Sequence, residues 1–356
     1  MPRWAKLAAA ATVLVSAGGC GFSGAGSGPT ISLLLPETKT ARYETHDRPH
    51  FQRMVRELCR ECRVLYANAN QDAAVQQSEA EAALSNRAGV LVLDPVDALA
   101  AGAVVARAKA AGVPVISYDR LVRNADVDYY VSFDNEKVGE LQARALLDRL
   151  AGLGRTGGSL VMLNGSPTDS NAALFKRGAH RVLDAGGWAI GAEYDTPDWS
   201  PDRAQQQMEQ AITRLGRDGI AGVYAANDGM AGGALAALGG AGFDALPPIT
   251  GQDAELAAVQ RILAGDQYMT VYKAIRPQAE SAARLAVALA TKAPLPPGLI
   301  NGEVDNGRRR VPSVLLRPIA VTRADVAETV LADGFWAARQ LCTDRFADAC
   351  QAAGIR

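Results

Sequence analysis

The sequence predicts an α/β protein built from two parallel-sheet domains. Three observations lead there. Its 356 residues suit two domains of ordinary size. The apolar runs are short and continuous, as in strands buried on both faces, and helical patterns alternate with them. The alternation then starts afresh near the middle of the chain, which makes a second domain of similar size.

In the first half the strand-like runs are ISLLLP (31–36), RVLYAN (63–68), GVLVLDP (89–95), VPVISYD (113–119) and DYYVSFD (128–134). Between the first four lie the helical segments RPHFQRMVRELC, DAAVQQSEAEAALSN and ALAAGAVVARAKAAG. The second half opens with helix EKVGELQARALLDRLA and strand GSLVMLNG, followed by NAALFKRGAHRVLDAG and AIGAEY. Helix PDRAQQQMEQAITRLG, strand AGVYAAND, helix GMAGGALAALGGAG, strand PPITGQD, helix AELAAVQRILAG and strand QYMTVYKA continue it. A long helix (276–292), a loop (293–310), one strand (311–321) and a helical tail complete the reading. The halves share architecture and not sequence.

Hydrophobic residues make up 48%, enough for real cores, and the net charge of −1 argues against a general nucleic-acid binder. Arg3 and Lys6 followed by LAAAATVLVSAGG read as a signal peptide over 1–19, too short for a comfortable membrane span. SAGGC is similar to a bacterial lipobox, with Ser16 in place of the usual leucine, so Cys20 is the expected lipidation site and 20–29 a flexible tether. The other reading is an ordinary secretory leader with an incidental cysteine. Four further cysteines outside the cytoplasm suggest two disulfides, and proximity pairs Cys59 with Cys62 and Cys342 with Cys350. The C-x-x-C falls at the end of a helix and before a strand; a thioredoxin-like redox site would sit at a helix N-terminus. Zinc would need a second ligand pair.

In open α/β sheets ligands bind at the carboxyl ends of strands. Those ends carry Glu37 with Arg42-Tyr43, Asp94, Asp119-Arg120, Asp134-Asn135, Asn164 with Asp169 and Asn171, Asn227-Asp228, Gln252-Asp253 and Lys273. Helix capping accounts for Asp72, Asp94 and Asp228. It does not account for Arg42, Arg120 and Lys273, whose charge is wrong for a helix N-terminus. No P-loop is present, and His46 and His50, spaced i, i+4, lack a third metal ligand and read as surface histidines. No metal or cofactor is expected. Long donors beside acids suit a ring of hydroxyls, and Tyr43 and Trp199 offer aromatic faces in polar surroundings.

The segments YDRLVRNADVDYYVSFDNEKVGELQA, GSPTDSNAALFKRGA, AANDGMAGGALAAL, TGQDAELAAVQRILAGDQYMTVYK and VPSVLLRPIAVT closely resemble the D-xylose-binding proteins of bacterial ABC importers, a branch of the ribose/galactose-type (type I) periplasmic binding proteins. The resemblance covers roughly residues 30 to 335. It implies two Rossmann-like lobes joined by a three-stranded hinge, with sugar held in the cleft. The expected N-terminal lobe is 30–133 plus 275–304, the C-terminal lobe 134–274 plus 305–330, and the tail 331–356. It further implies that Arg42, Asp119 and Arg120 hold hydroxyls from the first lobe. Asn227, Asp253 and Lys273 would bind from the second lobe or hinge, Trp199 and Tyr43 would stack on opposite sugar faces, and Asn135, Asp169 and Asn171 would contribute. Enteric members resemble ERW where this chain has Ala41-Arg42-Tyr43, and Ser170 replaces an asparagine; both changes are expected to touch the pocket.

The implied partners are a monosaccharide and an importer permease with its ATPase. The membrane would be met through the lipid anchor alone, outside the cytoplasm, by a monomer that is not an enzyme. Three alternatives stay open. One is a lactose-repressor-type sensor core, which would need a helix-turn-helix in front. A second is a sugar-modifying enzyme using Asp119 and Asp253. The third is a receptor that reports sugar to a membrane partner.

Overall fold

The computed structural model describes Met1, residues 28–243 and residues 245–355. The expected leader after Met1, most of the tether and Cys20 lie outside these residues.

The first lobe starts with β1 (Thr30–Leu35), α1 (Arg48–Leu58), β2 (Arg63–Asn68), α2 (Ala73–Ser85), β3 (Ala88–Leu93), α3 (Gly102–Ala110), β4 (Val115–Tyr118) and β5 (Tyr129–Phe133). Side chains alternate across a strand. Ile31, Leu33 and Leu35 therefore pack with Phe51 and Val55 of α1, while Leu34 joins Leu91, Leu93 and the α2–α3 face. This two-sided burial is what the continuous apolar runs encode.

The chain crosses to the second lobe after Phe133. There follow α4 (Asn135–Gly152), β6 (Ser159–Asn164), α5 (Ser170–Ala185), β7 (Ile190–Asp195), α6 (Pro201–Leu215), β8 (Ile220–Ala225), α7 (Asp228–Gly240), α8 (Leu256–Ala264) and β9 (Met269–Tyr272). It returns with α9 (Ile275–Thr291), which packs on α1, and with β10 (Gly302–Asp305) and β11 (Arg310–Leu316). A third crossing leads to β12 (Ile319–Thr322), and α10 (Ala338–Leu341) and α11 (Ala347–Ala352) form the tail.

The first sheet runs β10-β11-β5-β4-β3-β1-β2, parallel except for β10. In the second lobe β7-β6-β8 is parallel and β9-β12 antiparallel. The bridges Val223–Ile249 and Gln252–Val271 join them. The expected strand 247–253 is reduced to these two bridges, because Pro247 and Pro248 lack N–H donors and Gly251 has no side chain to pack.

The single strand expected over 311–321 is two strands in different lobes, separated at Arg317-Pro318, where proline removes a ladder donor. Residues 305–316 accordingly lie in the first lobe, not the second: Ser313–Leu316 pairs with Tyr130–Phe133. The loop expected over 293–310 contains β10.

Both cysteine pairs form disulfides, Cys59–Cys62 closing the turn after α1 and Cys342–Cys350 pinning the tail. A close helix contact positions the second lobe's share of the cleft. A Cβ on Gly139 would lie 1.9 Å from the Phe175 carbonyl oxygen, and one on Gly178 would lie 2.0 Å from that of Glu136. Only glycine on both helices lets α4 and α5 approach this far.

Candidate functional site

The carboxyl ends of both sheets face each other across one narrow space between the lobes. The first lobe lines it with Thr40, Arg42, Tyr43, Asp119 and Arg120. The second lobe supplies Asp169, Asn171, Phe175, Trp199, Asn227, Gln252 and Asp253, and Lys273 projects from the second crossing. A larger surface groove near Arg149, Leu246 and Tyr268 is walled mainly by peripheral side chains, without a converging set of buried charges.

Arg42 heads the wide turn Tyr43–Asp47. Its Nε and Nη2 donate to the two Asp47 oxygens at 2.9 and 2.7 Å, its Nη2 also to Gln278 Oε1 at 2.8 Å, and its Nη1 to Asp119 Oδ1 at 3.2 Å. Gln278 of α9 donates to the same Asp119 oxygen at 3.1 Å, and the Tyr43 hydroxyl donates to the other at 3.1 Å. Tyr118 closes the network behind by donating to Asp47. Burial alone pushes the Asp119 carboxyl upward, but Arg42, Lys273, the Gln278 amide and Arg120 outweigh it and hold the group well below the usual carboxylate range. Asp119 is thus a fixed anion.

Arg120 reaches the second lobe directly. Its Nε lies 2.9 Å from Asp169 Oδ2, and Asp94 and Glu37 sit behind it at 3.7 and 3.9 Å. Asp94 is not a helix cap. It is wholly buried, neither of its oxygens is hydrogen-bonded, and burial drives its carboxyl well above the normal range despite Arg120. Asp72, by contrast, does cap α2.

In the second lobe several side chains serve two tasks. Asp169 Oδ1 caps α5 at Asn171 N (2.8 Å), and its Oδ2 accepts the Trp199 indole N–H at 3.1 Å. Asn227 Oδ1 caps α7 at Met230 N (2.9 Å), which commits its carbonyl and leaves the NH₂ as its remaining polar group. Asp228 is not that cap. Buried beneath it, Asp228 accepts from Gln267, Thr270 and the Glu255 amide, and burial lifts its carboxyl to about 7. Lys273 Nζ stands 2.8 Å from Asp253 Oδ1, with the Phe175 ring centroid 5.7 Å away.

Backbone strain gathers here. Asp119 (φ 54°), Asp198 (58°), Trp199 (53°), Asp253 (92°) and Ala254 (50°) all occupy the left-handed half of φ space, which non-glycine residues enter at a cost of order 1–3 kcal/mol each. The Asp119 turn is held by three donors on one carbonyl: Tyr130 (3.0 Å), Ser132 (2.7 Å) and Asn171 Nδ2 (3.0 Å) from the opposite lobe. Trp199 fits because position 165 is glycine, where a Cβ would lie 2.1 Å from the indole.

Ten of the eleven residues expected at the site line this space. Asn135 does not: it sits one layer behind, donating to Asn171 Oδ1 at 2.9 Å. Ser170 is not in the wall either. Its hydroxyl accepts the Leu121 N–H at 2.8 Å and so ties the lobes together, as Thr168 O does with the Ala98 N–H at 3.0 Å. His46 is buried, not on the surface. The residues not anticipated are Thr40 and Phe175; Phe175 reads in sequence as an ordinary apolar helix position. Gln252 was visible only as a polar strand end.

Three cations (Arg42, Arg120, Lys273) and three carboxylates (Asp119, Asp169, Asp253) line the space in balance. Gln252 Oε1 is buried without a hydrogen bond, and Asp253 Oδ1 meets the Lys273 ammonium at 2.8 Å. Among the described residues no group of three His, Cys, Asp or Glu side chains is arranged to hold a metal ion. The arrangement suits an uncharged molecule that both donates and accepts hydrogen bonds on every side.

The family profile described as periplasmic binding protein domain matches residues 31–294. The D-xylose-binding periplasmic protein of Haemophilus influenzae is 38% identical over 309 residues, covering 86% of this chain and 90% of that protein. The protein of the same description from Escherichia coli is 38% identical over 310 residues, with 86% and 90% covered. Among solved structures, an ABC transporter solute binding protein from Clostridium phytofermentans with bound β-D-glucose superposes with a TM-score of 0.81 at 29% identity, covering 88% of this chain and 99% of its own.

Proposed function

The chain belongs to the periplasmic binding protein family, in the branch of the D-xylose-binding proteins, and from that premise we propose that it captures a monosaccharide between its lobes for an ABC importer. D-xylose is the proposed ligand, with related pentoses and hexoses as competitors. The observation that carries this reading is the balanced ring of buried charges around a small space between the lobes, with Gln252 Oε1 left to accept a hydroxyl.

The mechanism is capture without reaction. Sugar enters with the lobes apart, and the three crossings allow hinge closure over it. Closure removes water, so Arg42, Asp119, Arg120, Asp253 and Lys273 meet hydroxyls at low dielectric, where charged hydrogen bonds are strong. Trp199 and Tyr43 supply apolar surface for C–H faces. A hydroxyl in the wrong place leaves a buried charge unpaired at about 1–3 kcal/mol, roughly tenfold or more in affinity. A hydrolase using Asp119 and Asp253 fits less well, because it needs one of the two carboxyls to carry a proton for the leaving group, and each lies against a cation, Asp119 3.2 Å from Arg42 and Asp253 2.8 Å from Lys273.

The loaded, closed form would dock on a permease whose ATPase drives import, with the protein anchored outside the cytoplasm through Cys20. Calorimetric titration with a monosaccharide panel is the test. One-site binding of D-xylose, with the sugar recovered unchanged, is expected; no binding to any sugar, or conversion of one, sinks the proposal. Cys20→Ala should move the protein from the membrane fraction to the soluble fraction.

A further inference from the structure

The segment after β12 is not used by the site just described, yet it touches both halves of it from behind. Its body belongs to the second lobe. Val326, Val330, Leu341, Cys350 and Ile355 share a core with Val259, Ile262 and Leu263 of α8. Gln260 of α8 donates to the Gln340 and Leu341 carbonyls at 3.1 and 3.2 Å, and the Cys342–Cys350 disulfide closes the end.

From this body two adjacent rings project. Phe335 stacks on His46 of the first lobe, with ring centroids 3.9 Å apart and planes 13° apart. His46 lies on the same wide turn as Tyr43 and directly precedes Asp47, the partner of Arg42. Burial pushes its imidazole down to about 4, so the ring meets Phe335 uncharged. Trp336 stands edge-on to His46 at 4.9 Å and donates its indole N–H to the Ala254 carbonyl at 2.8 Å. Ala254 and Asp253 form the left-handed turn that aims the Asp253 carboxylate. Asp333, two residues earlier, accepts from Arg276 of α9 in the first lobe at 3.0 Å.

We propose that Phe335 and Trp336 are positioning residues for the inter-lobe site: a strap, rooted in the second lobe, that holds the Tyr43–Asp47 turn with one ring and the Asp253–Ala254 turn with the other. The strap sets how long the closed cleft persists, a role that rests on the sugar-binding reading above. Neither ring lines the cleft, so both act through the turns they hold.

The test uses the full chain with Phe335→Leu, which keeps apolar volume and loses the stack, Phe335→Tyr, which keeps the stack, and Trp336→Phe, which loses the N–H. Two readouts are needed: D-xylose dissociation and amide hydrogen exchange in the sugar-free protein. Phe335→Leu should release D-xylose roughly threefold to tenfold faster, the scale of one aromatic pair. It should also speed exchange at residues 43–47, across the lobe boundary, and Phe335→Tyr should restore both. Trp336→Phe should speed exchange at residues 253–255.

A residue that merely packs within the second lobe would alter exchange in the tail and α8 and leave 43–47 unchanged; that result overturns the strap. So does faster exchange with unaltered D-xylose release. If the parent protein binds no sugar in the panel, the sugar reading fails, and exchange at 43–47 alone decides whether the strap holds the first lobe. If Phe335→Leu does not fold, Trp336→Phe decides by the same two readouts at 253–255.

Discussion

The two halves of the cleft are built on different terms. In the first lobe Arg42, Asp47, Asp119, Gln278 and Tyr43 are joined by hydrogen bonds that use both oxygens of each carboxylate. In the second lobe Asp169 and Asn227 spend part of their capacity capping helices, Asp253 Oδ1 meets Lys273 at 2.8 Å, and Gln252 keeps a buried oxygen without a hydrogen bond. Around Arg42 and Asp119 the first half is a finished anvil, while Asp94 behind Arg120 keeps both oxygens without a hydrogen bond. The second is completed by what closes onto it. Preorganisation on one side limits the ordering cost of binding, and an unspent acceptor on the other makes closure depend on ligand.

The sharpest way to break this contrast is to strike the finished half. Arg42→Met leaves Asp47 and Asp119 buried without their cation. It should abolish D-xylose binding and also cost about 3–5 kcal/mol of stability, read from urea unfolding. Unaltered stability would show that the first-lobe network is not structural.

Asp253→Ala strikes the unfinished half. It should weaken D-xylose by about 1.5–3 kcal/mol, roughly tenfold to a hundredfold, and lower the stability of the sugar-free protein by less than Arg42→Met does, since it leaves one buried ion, Lys273, without its partner and not two. A loss as large as that of Arg42→Met would make the two halves alike.

Gly165→Ala is subtler. The added methyl must displace the Trp199 indole, and overpacking costs of about 1–3 kcal/mol should appear mainly in sugar affinity, since the other groups on the wall stay in place. Calorimetry on this variant against its parent checks it.

The last contrast is in pH dependence, where the lobes differ in sign. Asp119 is depressed in the folded protein, so its stabilisation is present above its unfolded value, about 3.9, and is lost only as pH falls through the folded value. Asp228 is raised to about 7, mainly by burial. Its folded form holds the proton after the unfolded chain has released it, so its contribution weakens as pH rises from about 4 to about 7. Unfolding free energies measured between pH 5 and 8 should slope downward from this group and from neighbouring Glu255, raised to about 8 by burial and by Asp228, and Asp228→Asn should reduce that slope; an unaltered slope would remove Asp228 as a source.

Much of this was legible in the chain itself. Helix and strand follow from local periodicity, and the polar strand ends pointed to ten of the wall residues. The reading failed where one residue type serves two contexts. Asp72 and Asp94 are both acids after strands, yet the first caps a helix and the second is buried beside Arg120. Arg310–Leu316 and Ile319–Thr322 read as one strand because their apolar pattern continues through Arg317-Pro318; only pairing with β5 and β9 divides them between lobes. Phe175 reads as core because nothing local says that the surface it faces is a cleft.

By itself, then, the sequence determined most of the order of elements, the two-domain architecture, the cysteine pairs and the polar identity of the strand ends. These depend on periodicity, turn chemistry and short separations. The tertiary structure alone decided which ends converge, with Arg42 meeting Asp119 from 77 residues away and Gln278 from 236. It decided that Asn135 supports the wall and does not form it, and that the tail reaches both sides of the cleft. A side chain carries its charge and size wherever it goes. Its partners are set by how the sheets stack and the lobes close, and no local pattern records that.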